Sequence, residues 1–193
     1  MADVHWGLLG PEKLSNTRRT RTLGIGAAVR AFNDLAVPGL GGVWFGKQLF
    51  LATLGVAVAE QVRNDGKPVQ NIETANAIEA LACWLALDHN EWKSAPRLRG
   101  ATKLLGKRDL SFATVRKRGF YVTQPMRMTT VQPLRALGFV ASASERFGTF
   151  SCSDEGSAFI EAACSESNPC HYSKSVSEYL ADWAWDGNIA PAE

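Results

Sequence analysis

The feature that most limits how this chain can fold is an apolar stretch in its first third. Residues 49–59 read Leu-Phe-Leu-Ala-Thr-Leu-Gly-Val-Ala-Val-Ala and carry no charge. A helix that crosses a bilayer needs about 20 predominantly apolar residues. Extending this stretch toward the amino terminus brings in Lys47 and Gln48. The stretch therefore predicts a buried core helix over residues 44–63, ended by the Asn-Asp-Gly sequence that follows.

Two further helices are predicted on either side of this one. Residues 24–35 are expected to form a helix that ends before a Pro-Gly turn. Residues 71–87 are expected to form another, because apolar residues recur there at spacings of three and four. Together these helices predict a helical subdomain over residues 23–92, preceded by an arm over residues 1–22.

Charge is distributed unevenly along the chain, although the formal net charge is only +2. Residues 93–146 contain twelve basic and two acidic residues, a net charge of +10, whereas residues 147–193 have a net charge of −7. Concentrated positive charge is typical of nucleic-acid-binding proteins, because each neutralised phosphate releases condensed counterions. A solvated surface, or a patch that docks on the acidic carboxyl end, explains the same pattern.

The start of the chain and its cysteines bear on the cellular compartment. No basic start followed by a long apolar run, the mark of an export signal, is recognisable in the first residues. We therefore expect a cytoplasmic protein with reduced thiols. The four cysteines are Cys83, Cys152, Cys164 and Cys170.

The order of predicted elements changes after residue 93. In chain order they are basic helical segments over 97–105 and 111–118, a β-prone segment over 120–123, a helix over 129–137, strands over 139–143 and 147–152, and a helix over 155–164. Gly138 is a suitable residue to end the helix before the strands, since it tolerates a positive φ. Ser153 or Asp154 is suited to cap the last helix.

Four segments carry a family resemblance: Thr130-Val-Gln-Pro-Leu-Arg-Ala-Leu-Gly-Phe-Val140, Arg146-Phe-Gly-Thr-Phe150, Ser153-Asp-Glu-Gly156 and Ile160-Glu-Ala. Their order resembles the second half of a winged helix-turn-helix domain, in which a helix ending in Leu-Gly-hydrophobic-Val precedes a β-hairpin wing and a capped helix. The resemblance covers about residues 95–165 and is closest over 129–164. Pro133 departs from the pattern and is tolerated if it lies in the first turn of the recognition helix.

The resemblance implies a mainly α fold with a small β-hairpin wing, in which a basic winged-helix-like domain over residues 93–165 follows the helical subdomain. It also implies that the helix over 129–137 enters or lies across the major groove while the wing contacts phosphate. Arginine and glutamine can make bidentate base contacts, whereas the other polar residues mostly hold the backbone. The residues expected to contact DNA are Lys107, Arg108, Arg116, Lys117, Arg118, Tyr121, Arg127, Thr129, Thr130, Gln132, Arg135 and Arg146.

The acidic tail over residues 166–193 contains a further amphipathic helix. Its apolar stripe consists of Val176, Tyr179, Leu180 and Trp183, at spacings of one, three and four residues. Such a stripe either packs on the core of its own protein or docks on a partner subunit. The four residues are therefore candidate partner-binding residues.

Two sequence patterns have the residue types of known ligand sites but not their spacing. Residues 41–47 match the spacing of a phosphate-binding loop, but no strand is predicted before them and Gln48 occupies the position of the magnesium-binding Ser or Thr. Zinc sites pair their ligands as Cys-x-x-Cys or His-x₃-His, and Cys152, Cys164, Cys170 and His171 show no such pairing. We predict no metal site and no cofactor.

Metal-dependent nuclease chemistry is the third alternative. Asp88, Glu91 and Lys93 have the side chains it needs, but they lie within six residues at a helix end rather than on neighbouring strands. His89 has no recognisable nucleophile partner. We therefore predict no catalytic residue.

The leading functional prediction is a non-enzymatic DNA-binding protein. It would act as a regulator or as the DNA-contacting subunit of a bacterial multi-protein assembly, with mobile-element control and phage defence as candidate processes. The expected partners are double-stranded DNA and a protein subunit or second copy, with no membrane. The alternative is a structural adaptor whose winged-helix fold binds an acidic protein, and a nucleic-acid-processing enzyme is a distant third.

Overall fold

The computed structural model describes residues 23–93, 95, 98–165 and 174–187, and these residues are mainly helical. The helices are α1 (Ile25–Ala36), α2 (Gly46–Asn64), α3 (Asn71–His89), α4 (Ala101–Leu104), α5 (Phe112–Val115), α6 (Val131–Ala136), α7 (Asp154–Cys164) and α8 (Val176–Asp186). The strands are β1 (Val140–Ala141) and β2 (Ser151–Cys152), and 3₁₀ turns cover Leu40–Gly42, Met126–Thr129 and Phe147–Thr149. The predicted fold class, mainly α with a small hairpin, is confirmed.

Helices α2 and α3 pack against each other at the centre of the fold, joined by a short turn. The apolar stretch over residues 49–59 lies within α2, as predicted, and most of its side chains are buried. The two helices approach closely at Gly55, where a Cβ would lie 2.5 Å from the Cα of Ala75. A side chain at position 55 would therefore force the helices apart.

The larger hydrophobic cluster lies on one side of this helix pair. It combines α2 and α3 side chains such as Leu54 and Leu87 with side chains from later in the chain. The later residues include Phe112 of α5, Ile160 of α7 and Trp183 of α8. This cluster therefore draws on elements from residue 54 to residue 184.

The smaller hydrophobic cluster joins the amino-terminal half of α2 to the hairpin. Leu49 and Val56 of α2 meet Leu134 of α6 and the aromatic rings of Phe147 and Phe150. Both clusters thus combine side chains from before and after residue 93.

The hairpin follows α6 and precedes α7, which is the predicted order of elements. Strands β1 and β2 are antiparallel and pair Val140 with Cys152. They are shorter than predicted because residues 147–149 form a 3₁₀ turn instead of extended chain. This turn is held by the buried Asn71, whose Nδ2 donates to the carbonyl oxygens of Phe147 at 3.2 Å and Phe150 at 2.7 Å.

Helix α7 begins as predicted and packs closely on the hairpin. The Ser153 hydroxyl caps it by accepting the Gly156 backbone N–H at 3.0 Å. A Cβ at Gly156 would lie 2.1 Å from the carbonyl oxygen of Phe139. Gly138 ends the segment before the hairpin with a φ of 76°, which confirms its predicted conformation.

The basic segments contain less regular structure than predicted. Of the helix predicted over residues 97–105, only Ala101–Leu104 is helical within the described part, residues 98–105, and residues 120–123 form no strand. The predicted arm over residues 1–22 lies outside the described residues. Within the described ranges, no helix has both the length and the apolar character required to traverse a bilayer.

Candidate nucleic-acid interface

The candidate interface is formed by two basic segments that lie side by side. The Nζ of Lys103 donates to the carbonyl oxygen of Gly119 at 3.1 Å, and Nη1 of Arg99 donates to that of Gln124 at 3.3 Å. The Nζ of Lys107 lies 5.7 Å from the centre of the Phe120 ring, within cation–π range. These contacts hold residues 99–108 against residues 117–124.

We use the term basic surface for the six exposed cations that these segments carry. They are Arg99, Lys103, Lys107, Arg108, Lys117 and Arg118. None of the six forms an ion pair with a carboxylate among the described residues, where the four ion pairs involve other cations. Unneutralised charges grouped in this way raise the local concentration of anions.

Asp109 is the one acidic residue within residues 99–124, and its carboxylate is already engaged. It accepts the Thr114 hydroxyl at 2.6 Å and the Ser111 backbone N–H at 3.0 Å. These hydrogen bonds hold the pKa of Asp109 at about 2. Asp109 therefore fixes the start of α5, and the surrounding cations keep their charge available to a ligand.

Arg116, which was predicted to contact DNA, makes contacts within its own protein. Its Nη1 lies 3.1 Å from the Glu73 carboxylate on α3. Its guanidinium also lies 5.9 Å from the centre of the Phe112 ring. Arg116 therefore attaches α5 to α3, and its charge is already paired.

A buried polar cluster accounts for two more of the predicted residues. Tyr121 is 3% exposed, so the prediction that it contacts phosphate is wrong. Its hydroxyl has no hydrogen-bond partner of good geometry among the described residues. Burial, together with the neighbouring Glu79 carboxylate, raises the pKa of Tyr121. The ring closes the core instead of facing solvent.

Arg127 belongs to the same cluster. Its Nε donates to Oδ1 of Asn76 at 2.6 Å, and its guanidinium lies 5.3 Å from the centre of the Phe147 ring. Its backbone N–H donates to Glu79 at 3.3 Å. Burial lowers the pKa of Arg127. Its guanidinium connects α3 to the hairpin and is occupied by these contacts.

The predicted recognition helix is shorter than expected, and much of it faces inward. Helix α6 spans six residues and buries Pro133 and Leu134. Thr130 is 0% exposed and donates its hydroxyl to the Arg127 carbonyl at 2.8 Å, so the prediction that it contacts DNA is wrong. Pro133 is the third residue of α6, within its first turn as required.

Of the predicted DNA contacts, Thr129, Gln132 and Arg135 are exposed around α6. Gln132 lies against the turn after α1, since a Cβ at Gly39 would be 2.8 Å from its Cβ. Arg135 forms an exposed ion pair at 3.3 Å with Glu145 at the hairpin tip. Base reading by Gln132 and Arg135 would require these contacts to change, and it stays a prediction.

The hairpin tip carries Arg146, the predicted wing contact. Its side chain is exposed and forms no ion pair with a described carboxylate. The tip is shaped by hydroxyl groups, since the Thr149 hydroxyl lies 2.8 Å from those of both Ser142 and Ser144. Arg146 is therefore available to a ligand on a defined turn, and its contact with phosphate stays a prediction.

The tail residues predicted to bind a partner are buried within the protein. Leu180 and Trp183 are 7% and 2% exposed, so for them the partner-binding prediction is wrong. The Nε1 of Trp183 donates to the Leu110 carbonyl at 3.1 Å. Val176 and Tyr179 are partly buried against the larger hydrophobic cluster. Helix α8 thus packs on its own core.

The residues considered for metal chemistry make other contacts or lie apart from one another. Lys93 pairs with Glu91 at 2.6 Å, and Trp92 Nε1 donates to Asp88 at 3.1 Å. In the described part of the chain, no three His, Cys, Asp or Glu side chains are grouped as metal ligands. Cys83, Cys152 and Cys164 are free thiols, and Cys170 and His171 lie outside the described residues.

Sequence reasoning missed two residues of the basic surface. Arg99 and Lys103 were counted in the basic segment but not among the DNA-contacting residues. Both lie in the same run of basic residues as Lys107 and Arg108. This concentration of charge was the signal that could have identified them.

Comparisons of the chain with protein-family models, with curated proteins and with solved structures find no match.

Proposed function

We propose that this protein binds double-stranded DNA without chemical turnover, and that the basic surface makes the principal contact. The observation that carries the proposal is the grouping of six exposed cations on two adjoining segments, none of them paired with a described carboxylate. Duplex DNA presents a dense row of phosphates that such cations neutralise with release of counterions.

The proposed contact is mainly with the sugar–phosphate backbone. Arg116 and Arg127 are held by Glu73 and Asn76, and the inner face of α6 is buried. Few side chains therefore remain for reading base edges, whereas lysine and arginine tips suit phosphate. We expect weak dependence on DNA sequence and strong dependence on salt.

The winged-helix assignment is part of this proposal. It is supported by the order of α6, the hairpin and the Ser153-capped α7. In this arrangement Arg146 is the second contact to phosphate, from the wing. A DNA partner also implies a cytoplasmic location and a role as regulator or DNA-contacting subunit of a bacterial assembly.

The test is fluorescence-anisotropy titration of a labelled duplex of random sequence at several salt concentrations. Six phosphate contacts predict a slope of log K against log salt of about −5. The variant Lys107→Gln/Lys117→Gln/Arg118→Gln removes three of these contacts. We expect it to bind more weakly at low salt and to reduce the slope to about −3.

The matched control is Lys47→Gln/Lys93→Gln/Lys174→Gln, which changes the net charge equally at exposed lysines outside the basic surface. Its duplex affinity should remain close to that of the unmodified protein. If both variants bound the duplex equally weakly, net charge alone would explain the loss of affinity, which would contradict the assigned surface. Absence of duplex binding at low salt would contradict the proposed function.

The second candidate function is a structural adaptor that binds an acidic protein through the same surface. The contacts of α6 favour it, because Gln132 lies against the turn after α1 and Arg135 pairs with Glu145, which leaves few free side chains for a major groove. Absence of DNA binding at low salt, with salt-sensitive binding to an acidic polypeptide such as polyglutamate, would support this candidate.

A further inference from the structure

One ion pair joins the carboxyl-terminal end of α6 to the tip of the hairpin. Nη1 of Arg135, in the last turn of the helix, lies 3.3 Å from Oε1 of Glu145. The Arg135 side chain is 36% exposed and the Glu145 side chain 82%. Among the described residues, neither side chain forms another hydrogen bond or ion pair. The described partner of Arg135 is therefore a single carboxylate of its own chain.

An exposed pair of this kind is easily exchanged for another. Such pairs contribute little net free energy, because water screens the charges and both long side chains lose freedom. A phosphate group can accept two parallel hydrogen bonds from a guanidinium, whereas Glu145 accepts one, from Nη1 of Arg135. A phosphate brought to the hairpin tip is therefore the stronger partner for Arg135.

The pair lies beside the groups that the DNA-binding proposal uses. Arg146 is the residue next to Glu145 in the chain and is exposed. The hairpin also adjoins the basic surface through Arg127, whose guanidinium lies 5.3 Å from the centre of the Phe147 ring. Burial lowers the pKa of Arg127, and the nearby charge of Arg118 lowers it further. A duplex that contacts both Arg118 and Arg146 would therefore pass close to Glu145.

Glu145 stands out by its charge in this part of the chain. It is the one acidic residue between positions 110 and 153, a stretch that contains six basic residues. Like charges placed together across an interface lower affinity, so a carboxylate here repels phosphate. Glu145 also occupies a cation, and its effect on DNA binding should therefore exceed that of a remote carboxylate.

We propose that Glu145 makes an autoinhibitory contact: it occupies Arg135 in the free protein and must be displaced before this guanidinium can bind a phosphate of duplex DNA. The hairpin tip then offers one free cation, Arg146, before binding and a second one, Arg135, in the complex. The inference rests on the proposed binding of double-stranded DNA, and it assigns to this binding a regulatory step at the wing.

The test is anisotropy titration of the same labelled duplex with Glu145→Gln, which keeps the shape of the side chain and removes its charge. We expect the affinity at low salt to rise about fivefold, because one more phosphate is neutralised without competition. The slope of log K against log salt should steepen from about −5 to about −6. Circular dichroism should show unchanged helix content, because the substituted side chain is exposed.

The matched control is Glu161→Gln, which changes the net charge equally. Glu161 is an exposed residue of α7 and forms no ion pair with a described cation. Its affinity and slope should stay close to those of the unmodified protein. If the unmodified protein binds the duplex and the two glutamine variants behave alike, the inference is overturned and the DNA-binding proposal stands.

A second background separates release of Arg135 from simple repulsion of DNA by Glu145. In Arg135→Gln there is no guanidinium to release, so adding Glu145→Gln should leave the slope unchanged. The same steepening in both backgrounds would overturn the inference, since Glu145 would then act by repulsion alone. Absence of duplex binding at low salt by both the unmodified protein and Glu145→Gln would overturn the inference together with the DNA-binding proposal.

Discussion

Glu79 is the one charged residue that is fully buried among the described residues. Its carboxylate accepts the backbone N–H groups of Met126 and Arg127, at the start of the turn that leads into α6. Burial raises the pKa of Glu79, although the nearby Tyr121 hydroxyl and the hydrogen bonds from the Met126 and Arg127 backbone N–H groups act in the opposite direction. The carboxylate thus holds the turn in place while being poorly solvated itself.

The raised pKa of Glu79 predicts a pH-dependent contribution to stability. The folded protein holds this proton more tightly than the unfolded chain. The contribution is therefore fully present below the unfolded pKa and is lost as pH rises through the folded pKa. Glutamine does not titrate. We expect the free energy of unfolding of Glu79→Gln, relative to the unmodified protein, to increase as pH rises above the unfolded pKa of about 4. Urea denaturation at several pH values measures it.

Asp109 provides the control with the opposite sign. Its pKa is lowered to about 2 by hydrogen bonds from Thr114 and Ser111. Its contribution to stability is present above its unfolded pKa and is lost as pH falls through about 2. The advantage of the unmodified protein over Asp109→Asn should accordingly diminish in acid. Parallel pH profiles for Glu79→Gln and the unmodified protein would contradict the first prediction.

Residue type alone identified the charge of the candidate site but not its geometry. Lys107, Arg108, Lys117 and Arg118 are exposed as predicted, because lysine and arginine are seldom buried. Arg127 was predicted to contact DNA on the strength of the family resemblance. Its hydrogen bond to Asn76, 51 residues earlier, is too distant in sequence to leave a local pattern. Glu79, a carboxylate inside an apolar helical pattern, was the signal that a buried polar partner was needed.

At the scale of elements, α8 illustrates how an amphipathic helix can be assigned to the wrong surface. Its apolar stripe predicts a buried side but not which protein covers it. In the structure, the ring of Trp183 meets that of Phe112 edge to face at 5.3 Å. In the same carboxyl-terminal turn of the helix, the Lys67 Nζ donates to the carbonyl oxygens of Ala184, at 2.9 Å, and of Trp185. Both contacts are to the same chain.

The variant Trp183→Ala is therefore expected to destabilise the protein strongly. Removing a buried tryptophan typically costs about 3–5 kcal/mol, and here it also leaves the Leu110 carbonyl without its donor. The matched control, Trp185→Ala, removes an exposed ring of the same helix and should have a much smaller effect. Thermal unfolding followed by circular dichroism compares them. Similar midpoints for the two variants would contradict the core role of α8.

Long and short helices differ in how well the sequence predicts them. The predicted bounds of α2, α3 and α7 lie within about two residues of those observed, because each has enough apolar residues to define a buried side. Helices α4, α5 and α6 have four to six residues. Helices this short are not stable on their own and depend on tertiary contacts. One such contact is that of Gly100, where a Cβ would lie 2.9 Å from the Tyr121 carbonyl oxygen.

At the scale of the whole molecule, the two hydrophobic clusters bear on how the chain folds. Each cluster combines residues from the predicted helical subdomain with residues from the predicted winged-helix region. We therefore expect a polypeptide of residues 93–165 alone to be unfolded, since it lacks α2 and α3. The full chain should unfold in one cooperative transition.

Circular dichroism and amide proton spectra of the fragment provide the measurement. A fragment with dispersed amide resonances and a cooperative thermal transition would contradict the prediction and would support an independent domain after residue 93. The sequence indicated a change of character at this residue because the charge changes there. Charged residues lie mostly at the surface, however, whereas cooperative folding depends on the hydrophobic core that the two regions share.

The close crossing at Gly55 also determines where this chain can change length. A one-residue insertion within α2 rotates one end of the helix by about 100° relative to the other. Gly55 and the flanking core residues can then no longer all face α3, because the crossing leaves no space for another side chain. Insertions between Asp65 and Gln70 do not change which side of α2 faces α3. Variation in length is therefore confined to the turn, and the two central helices keep their register.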